Sequence, residues 1–240
     1  MQAAGLLLIL SVIALAVNWV YQVARKPSEL FFPVSGVLYK TPAETWRDYE
    51  PAFTRYSTPV MTPELLAALA QVEGSGNPVA RTYWRWSWSL RPFELYRPAS
   101  SAVGMYQITD GTFAEAKHYC IHAHAVVEDG PWDAWKSCWF NGLYVRVFPS
   151  HAIELTSAYL DRTVASTLER HGLGRATPRQ KQELVAIIHL CGAGAGDAYA
   201  RRHFQLVEGQ RCSDHEVRAY VARVEAMRRV FSRLAAAASQ

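Results

Sequence analysis

Charge is scarce in this chain, and ahead of Arg25 there is none. Charged residues make up 19% of the 240 positions and hydrophobic ones 50%, a balance that excludes compositional disorder. The net charge of +4 is too small to argue for a nucleic-acid partner, and none is expected. No internal repeat or low-complexity tract breaks the sequence, and apart from the period-two series Trp84, Trp86 and Trp88 no run reads convincingly as alternating strand. The length suits one globular domain with an extension.

The uncharged start is itself informative. Ala3 to about Val23 is apolar and long enough for one transmembrane helix. Ala14-Leu15-Ala16 offers a small-x-small site, so a cleaved signal peptide is the rival reading. No Lys or Arg precedes the span, whereas Arg25 and Lys26 follow it, and the positive-inside rule would place the remainder in the cytoplasm. The cysteines argue the other way. There are only four, an even number, which in an exported domain reads as two disulfides with three possible connectivities. Cys120–Cys138 and Cys191–Cys212 are preferred because each closes a short loop; buried free thiols are the alternative.

The chain divides into an anchor or signal segment at 1–24, a proline-rich linker and irregular lead-in at 25–60, and a helical domain at 61–240. The expected class is all-α. Thr62-Pro63-Glu64 supplies a cap, a first-turn proline and a first-turn acid, with Leu65, Leu66, Leu69 and Val72 on the apolar face. Further starts are expected at Thr112-x-x-Glu115, after Ser150, at Thr177-Pro178-x-Gln180 and at Ser213-x-x-Glu216. In the last helix Val217, Tyr220, Val221, Val224, Phe231 and Leu234 form the inward stripe. Tyr83, Trp84, Trp86, Trp88, Phe93 and Tyr96 crowd an insertion with room for a short hairpin.

Glu73 ends the helix that Thr62 opens, and Gly74-Ser75-Gly76-Asn77-Pro78 stops it at once. A carboxyl group there is expected to be partly desolvated against the Leu65/Leu69 face. The helix C-terminus also disfavours its charge, by about 0.3–1 kcal/mol. Both effects raise a carboxyl's pKa, burial more strongly, as a glycosidase general acid requires. Asp110, Glu115, Glu154 and Asp197 are the candidates for a second carboxylate, and none has a compelling context.

Two motifs carry a family resemblance. Glu73-Gly74-Ser75-Gly76-Asn77-Pro78-Val79-Ala80 resembles the E-S-x-x-N-P-x-A motif of lytic transglycosylases of the soluble-transglycosylase type, and Gly104-Met105-Tyr106-Gln107 resembles their G-L-M-Q motif. The third motif, Y-N-x-G, has as its counterpart His189-Leu190-Cys191-Gly192, with His for Tyr and Leu for Asn. The resemblance covers roughly residues 61–205. It implies a lysozyme-like fold and cleavage of peptidoglycan glycan strands between N-acetylmuramic acid and N-acetylglucosamine, closing a 1,6-anhydro ring. Glu73 would be acid and then base, with Gln107, Tyr106, Met105, Ser75, Asn77, His189 and Tyr199 as substrate-contacting candidates and no cofactor. A wall-cutting domain must lie outside the cytoplasm, anchored in the inner membrane. The family also serves envelope-spanning secretion or conjugation machines. A hydrolytic muramidase and a non-catalytic wall-binding scaffold are the competing functions.

Other clusters read more plainly. His118, His122 and His124 with Cys120 lack a further ligand at a metal-binding spacing, and no metal is expected. Gly192, Gly194 and Gly196 lack the strand and the Lys-Ser/Thr of a phosphate loop and are expected to form a turn between helices.

Overall fold

The computed structural model describes residues 2–88, 91–131, 134 and 137–238. The fold is mainly α. Its first helix, α1 (Gln2–Arg25), contains the apolar stretch Ala4–Ala24, long and apolar enough to cross a membrane or to act as a signal sequence. A 3-10 turn (Pro27–Phe31) and a short α2 (Phe32–Ser35) lead into α3 (Pro42–Arg55), followed by α4 (Pro63–Gly74). The aromatic insertion is a hairpin of β1 (Trp84–Trp86) and β2 (Tyr96–Pro98), with Trp84 opposite Pro98 and Trp86 opposite Tyr96. Next come α5 (Asp110–Ala116) and a second hairpin, β3 (Tyr119–His122) with β4 (Ala125–Glu128). The rest is α6 (Pro149–Arg170), α7 (Pro178–Cys191), α8 (Ala193–Arg201), a third hairpin of β5 (Arg211–Cys212) and β6 (His215–Glu216), and α9 (Val217–Ala238).

Threonine opens four of these helices. Thr41, Thr62, Thr109 and Thr177 each accept a backbone N–H of the first turn, satisfying a donor that has no intrahelical partner. Thr41 with Glu44, and Thr177 with Gln180, form complete capping boxes. Pro42, Pro63 and Pro178 occupy the first helical turn, where the missing N–H costs nothing.

The proline-rich lead-in is not irregular throughout. Residues 42–55 are helix, and Trp46 and Phe53 are buried in the core with Phe231. The domain therefore begins before residue 61, and the prolines that suggested a linker include one at a helix start. Pro51 lies inside α3 and removes one helical hydrogen bond, which the burial of Phe53 offsets. Two expected caps also move. Thr109 rather than Thr112 opens α5, and Ser213 sits in the β5–β6 turn at φ 52°. Glu216 instead accepts the Ala219 N–H at the start of α9. The three hairpins show that the chain is not purely helical.

At the centre lies α4. Leu65, Leu66, Ala67, Ala68, Leu69 and Ala70 are all buried, so the helix has no solvent face over that length, as its apolar composition demands. α9 packs most extensively on it, and α3 covers another side. α7 joins through α9 and α8, and α6 packs on α3, α7 and α8.

Both preferred disulfides are formed. Cys120–Cys138 ties β3 to the 3-10 turn Trp139–Leu143, and Cys191–Cys212 ties the end of α7 to the hairpin ahead of α9. The second closes a 21-residue separation, for which restriction of the unfolded chain is worth about 3 kcal/mol. Replacing Cys191 and Cys212 together by Ala should lower unfolding stability by about that amount in a denaturant titration.

Candidate active site

Glu73 occupies the last turn of α4, one residue before its end. The chain leaves that helix through Ser75, held in the left-handed conformation at φ 48°, whose N–H returns to the Gln71 carbonyl, while the Gly76 N–H returns to Ala70. The Glu73 side chain keeps 18% of its surface, neither sealed in the core nor free in solvent.

Two side chains meet its Oε1 atom. The Tyr220 hydroxyl, from α9, donates a short hydrogen bond to it. Tyr220 is almost wholly buried, and burial, reinforced by the Glu73 charge, pushes its phenol well above the ordinary tyrosine range. The phenol therefore remains a donor at every physiological pH. From α7, His189 places Nε2 3.7 Å from the same oxygen, close enough for electrostatic influence but longer than a hydrogen bond. Tyr220 lies on the stripe read from the sequence as core. Its signal was chemical: a phenol on an apolar stripe needs a buried acceptor.

The second motif is pressed directly against the first. A Cβ on Gly74 would fall 2.8 Å from the Met105 Cα, so only glycine allows this approach. Gly104 has φ +79°, and a Cβ there would fall 2.7 Å from the Arg146 carbonyl. Gln107, itself left-handed at φ 48°, donates from Nε2 to the carbonyls of Gly104 (2.8 Å) and Ala80 (3.3 Å). Its amide nitrogen thus staples the two motifs together. Arg146, which sequence reasoning missed, clamps the same loop by donating to Ser101 and Ile108 carbonyls and pairing with Asp110 at 2.7 Å.

Beside these groups opens a cavity of about 230 Å³. Its walls include Gln107, Thr112 of α5, Thr156 and Tyr159 of α6, and His189 and Leu190 at the end of α7. Tyr159, half-buried at the edge of the α6 core stripe, gives this cleft an aromatic wall that was not expected.

Several expected contacts are placed elsewhere. Met105 and Tyr106 are fully buried in the core, and the Tyr106 hydroxyl donates to the Leu66 carbonyl, so neither presents a surface to a ligand. Asn77 is also fully buried; it donates to the Ser35 carbonyl at 2.6 Å and accepts the Val79 N–H, bracing the turn. Ser75 forms the turn itself and accepts the Lys40 N–H at its carbonyl. Tyr199 points its hydroxyl at Glu183 (2.7 Å) and is 1% exposed. Burial, then the bond to Glu183, pushes that phenol above its ordinary value. Gln107 and His189 line the cleft, and Glu73 adjoins it through His189 at 3.7 Å.

The carboxylates weighed as partners have other engagements. Asp110 pairs with Arg146, and Asp197 is held below the usual carboxylate range by its bond to His171. Glu154 is buried and accepts from the Ile121 N–H and the Tyr144 hydroxyl. Glu115 is exposed on α5. The histidine cluster lies around the β3–β4 hairpin, not on one helix face; His118 pairs with Asp129, His124 with Ser57, and Cys120 is in a disulfide. Among the described residues, no group of three or more His, Cys, Asp and Glu side chains is arranged to hold a metal ion. No family model matches the chain, and no curated protein aligns with it significantly.

Two substitutions test this geometry. Gly74→Ala should destabilise the fold by about 2 kcal/mol, because the added methyl meets backbone rather than a movable side chain. Tyr220→Phe should leave the far-ultraviolet circular dichroism unchanged. It removes one charge-assisted hydrogen bond worth about 1.5–3 kcal/mol, and any chemistry that depends on Glu73 should slow about 10- to 100-fold with KM little altered.

Proposed function

We propose that the chain is a peptidoglycan lytic transglycosylase with a lysozyme-like fold, in which Glu73 acts as the single general acid and base. The reading rests most directly on one arrangement. A carboxyl group at the end of the central helix has one oxygen fixed by a buried phenol and lies 3.7 Å from His189, which with Gln107 lines a cleft. The two glycine-rich motifs that resemble the family are the segments packed against each other around that carboxyl.

In this mechanism Tyr220 holds Oε1, leaving Oε2 to carry the catalytic proton. Glu73 first delivers it to the glycosidic oxygen leaving N-acetylmuramic acid. As the carboxylate, it then removes the proton of the muramic acid 6-hydroxyl, whose oxygen attacks C1 of the same sugar. The 1,6-anhydro ring closes without water, and Glu73 regains its starting state. No second carboxylate is required, in agreement with the other engagements of Asp110, Asp197 and Glu154. Gln107 is tied to backbone through its nitrogen, which leaves its carbonyl oxygen as the group to orient a sugar hydroxyl or amide N–H. Tyr159 supplies an apolar ring to a pyranose face.

The site works in the periplasm in this reading, with α1 as an uncleaved inner-membrane anchor. Two disulfides favour an oxidising compartment. Asn18 and Gln22 tie the end of α1 to the domain through the carbonyls of Tyr96 and Phe93, which suits a helix retained as an anchor.

The decisive test digests purified peptidoglycan with the detergent-solubilised full chain and with its Glu73→Gln variant, and reads the product ends by mass spectrometry. Anhydro ends with the wild type and their loss of at least 1000-fold with the variant are expected. Reducing ends would identify a hydrolytic muramidase instead, and binding without cleavage a scaffold.

A further inference from the structure

The apolar helix α1 has two buried polar residues, and they set how deep the domain sits. Asn18 Nδ2 donates to the Tyr96 carbonyl at 2.8 Å and Gln22 Nε2 to the Phe93 carbonyl at 2.6 Å. The Tyr21 ring stacks on Phe93 with centroids 5.1 Å apart. The last two turns of α1 are therefore packed on the segment that joins and forms the β1–β2 hairpin, whereas Leu6 to Val17 expose their apolar side chains. That free stretch is too short for a bilayer. From Ala4 to Val17 the helix rises only about 21 Å, and the hydrocarbon layer is about 30 Å thick. The candidate span runs from Ala4 to Ala24 and so takes in Asn18 to Val23, the part clasped by the hairpin.

The hairpin carries the surface that such a depth requires. Trp86 is 73% exposed and Trp88 fully exposed, and Tyr83, Phe93 and Leu95 are exposed beside them. Arg85 and Arg91 are also exposed on this segment. In water this much aromatic surface would be costly. At a bilayer boundary it is the composition found, with indole and phenol rings at headgroup level and guanidinium groups reaching phosphate. One N–H of each amide, of Asn18 and of Gln22, enters the boundary already paired with a backbone carbonyl of the hairpin segment.

We propose that the β1–β2 hairpin is a membrane-interface anchor, seated at the headgroup–acyl boundary of the same bilayer that α1 crosses. Trp86, Trp88 and Phe93 lie in the boundary, and Arg85 and Arg91 face the lipid phosphates. The proposal rests on α1 being a retained membrane span. It gives the hairpin a second task, because Arg81, one residue after the Ala80 carbonyl that holds Gln107, bridges to Val103 and pairs with Glu29 at the base of α1. The platform thus fixes the height and tilt of the cleft above the lipid.

The test places single nitroxide labels on the full chain in nanodiscs of phosphatidylethanolamine and phosphatidylglycerol and compares their accessibility to oxygen and to a water-soluble nickel chelate. The labelled positions are 12, 88 and 143. Labels at Val12 and Trp88 are expected to favour oxygen, with the one at Leu143, exposed elsewhere, favouring the chelate. If position 12 reads as lipid but position 88 reads as water, the hairpin proposal fails and the anchor stands. If position 12 reads as water, both fail. A label at 88 shielded from both agents would mean a protein partner and would also overturn the proposal. Should the added cysteine disturb the native disulfides, quenching of tryptophan emission by acyl-chain-brominated lipids replaces it. The quenched intensity should fall by at least a third in the W86F/W88F variant, and an unchanged value would sink the idea.

Discussion

Everything at the site depends on the contact between Gly74 and the backbone of Met105. A helix buried on all sides can present a functional group only at its end, and only if the chain turns away there without filling the opening. α4 meets that condition with a left-handed residue at Ser75 and with a glycine that lets another backbone approach to van der Waals distance. The Gly104–Gln107 turn occupies the resulting niche, and its own two left-handed residues keep it compact. The carboxyl of Glu73 is thereby left part-exposed, beyond the buried stretch from Leu65 to Ala70.

Electrostatic definition comes from farther along the chain. Tyr220 and His189 belong to α9 and α7, and the Cys191–Cys212 disulfide joins the end of one element to the hairpin ahead of the other. The staple lies two residues from His189 and eight from Tyr220. A covalent link at that place limits relative sliding of the helices that meet at Oε1. The long, alanine-rich α9 then transmits the position of the core to the phenol.

Much of this was legible in the sequence because it is local. Helix starts follow Thr-Pro pairs, the stop after Glu73 follows Gly-Ser-Gly-Asn-Pro, and short loops pointed to the two cystine pairs. What escaped was non-local, with α3 the exception. Thr41-Pro42-Ala43-Glu44 carries the same start signal as Thr177-Pro178-Arg179-Gln180, yet nearby prolines masked α3. Met105, Tyr106 and Asn77 sit in motif positions, but which of a tight turn's side chains face inward is set by the body it packs on, here α4 and Ser35. Tyr220 looked like one more core residue, since a stripe reports the direction of a side chain and not the identity of the atom waiting at its end.

Glu29 has a consequence for how this molecule can be handled. Its carboxylate is wholly buried and is met by Lys26, Arg81 and the Trp84 indole N–H. Lys26 lies just past the apolar helix, where a soluble fragment would conventionally begin. Such a trimmed fragment would lose one of the cations answering an interior anion and would strip the carbonyls of Phe93 and Tyr96 of their amide donors. Removing one partner of a buried ion pair costs about 3–5 kcal/mol. The trimmed fragment would therefore be damaged at the base of its hairpin, and kinetics measured on it would describe a loosened scaffold.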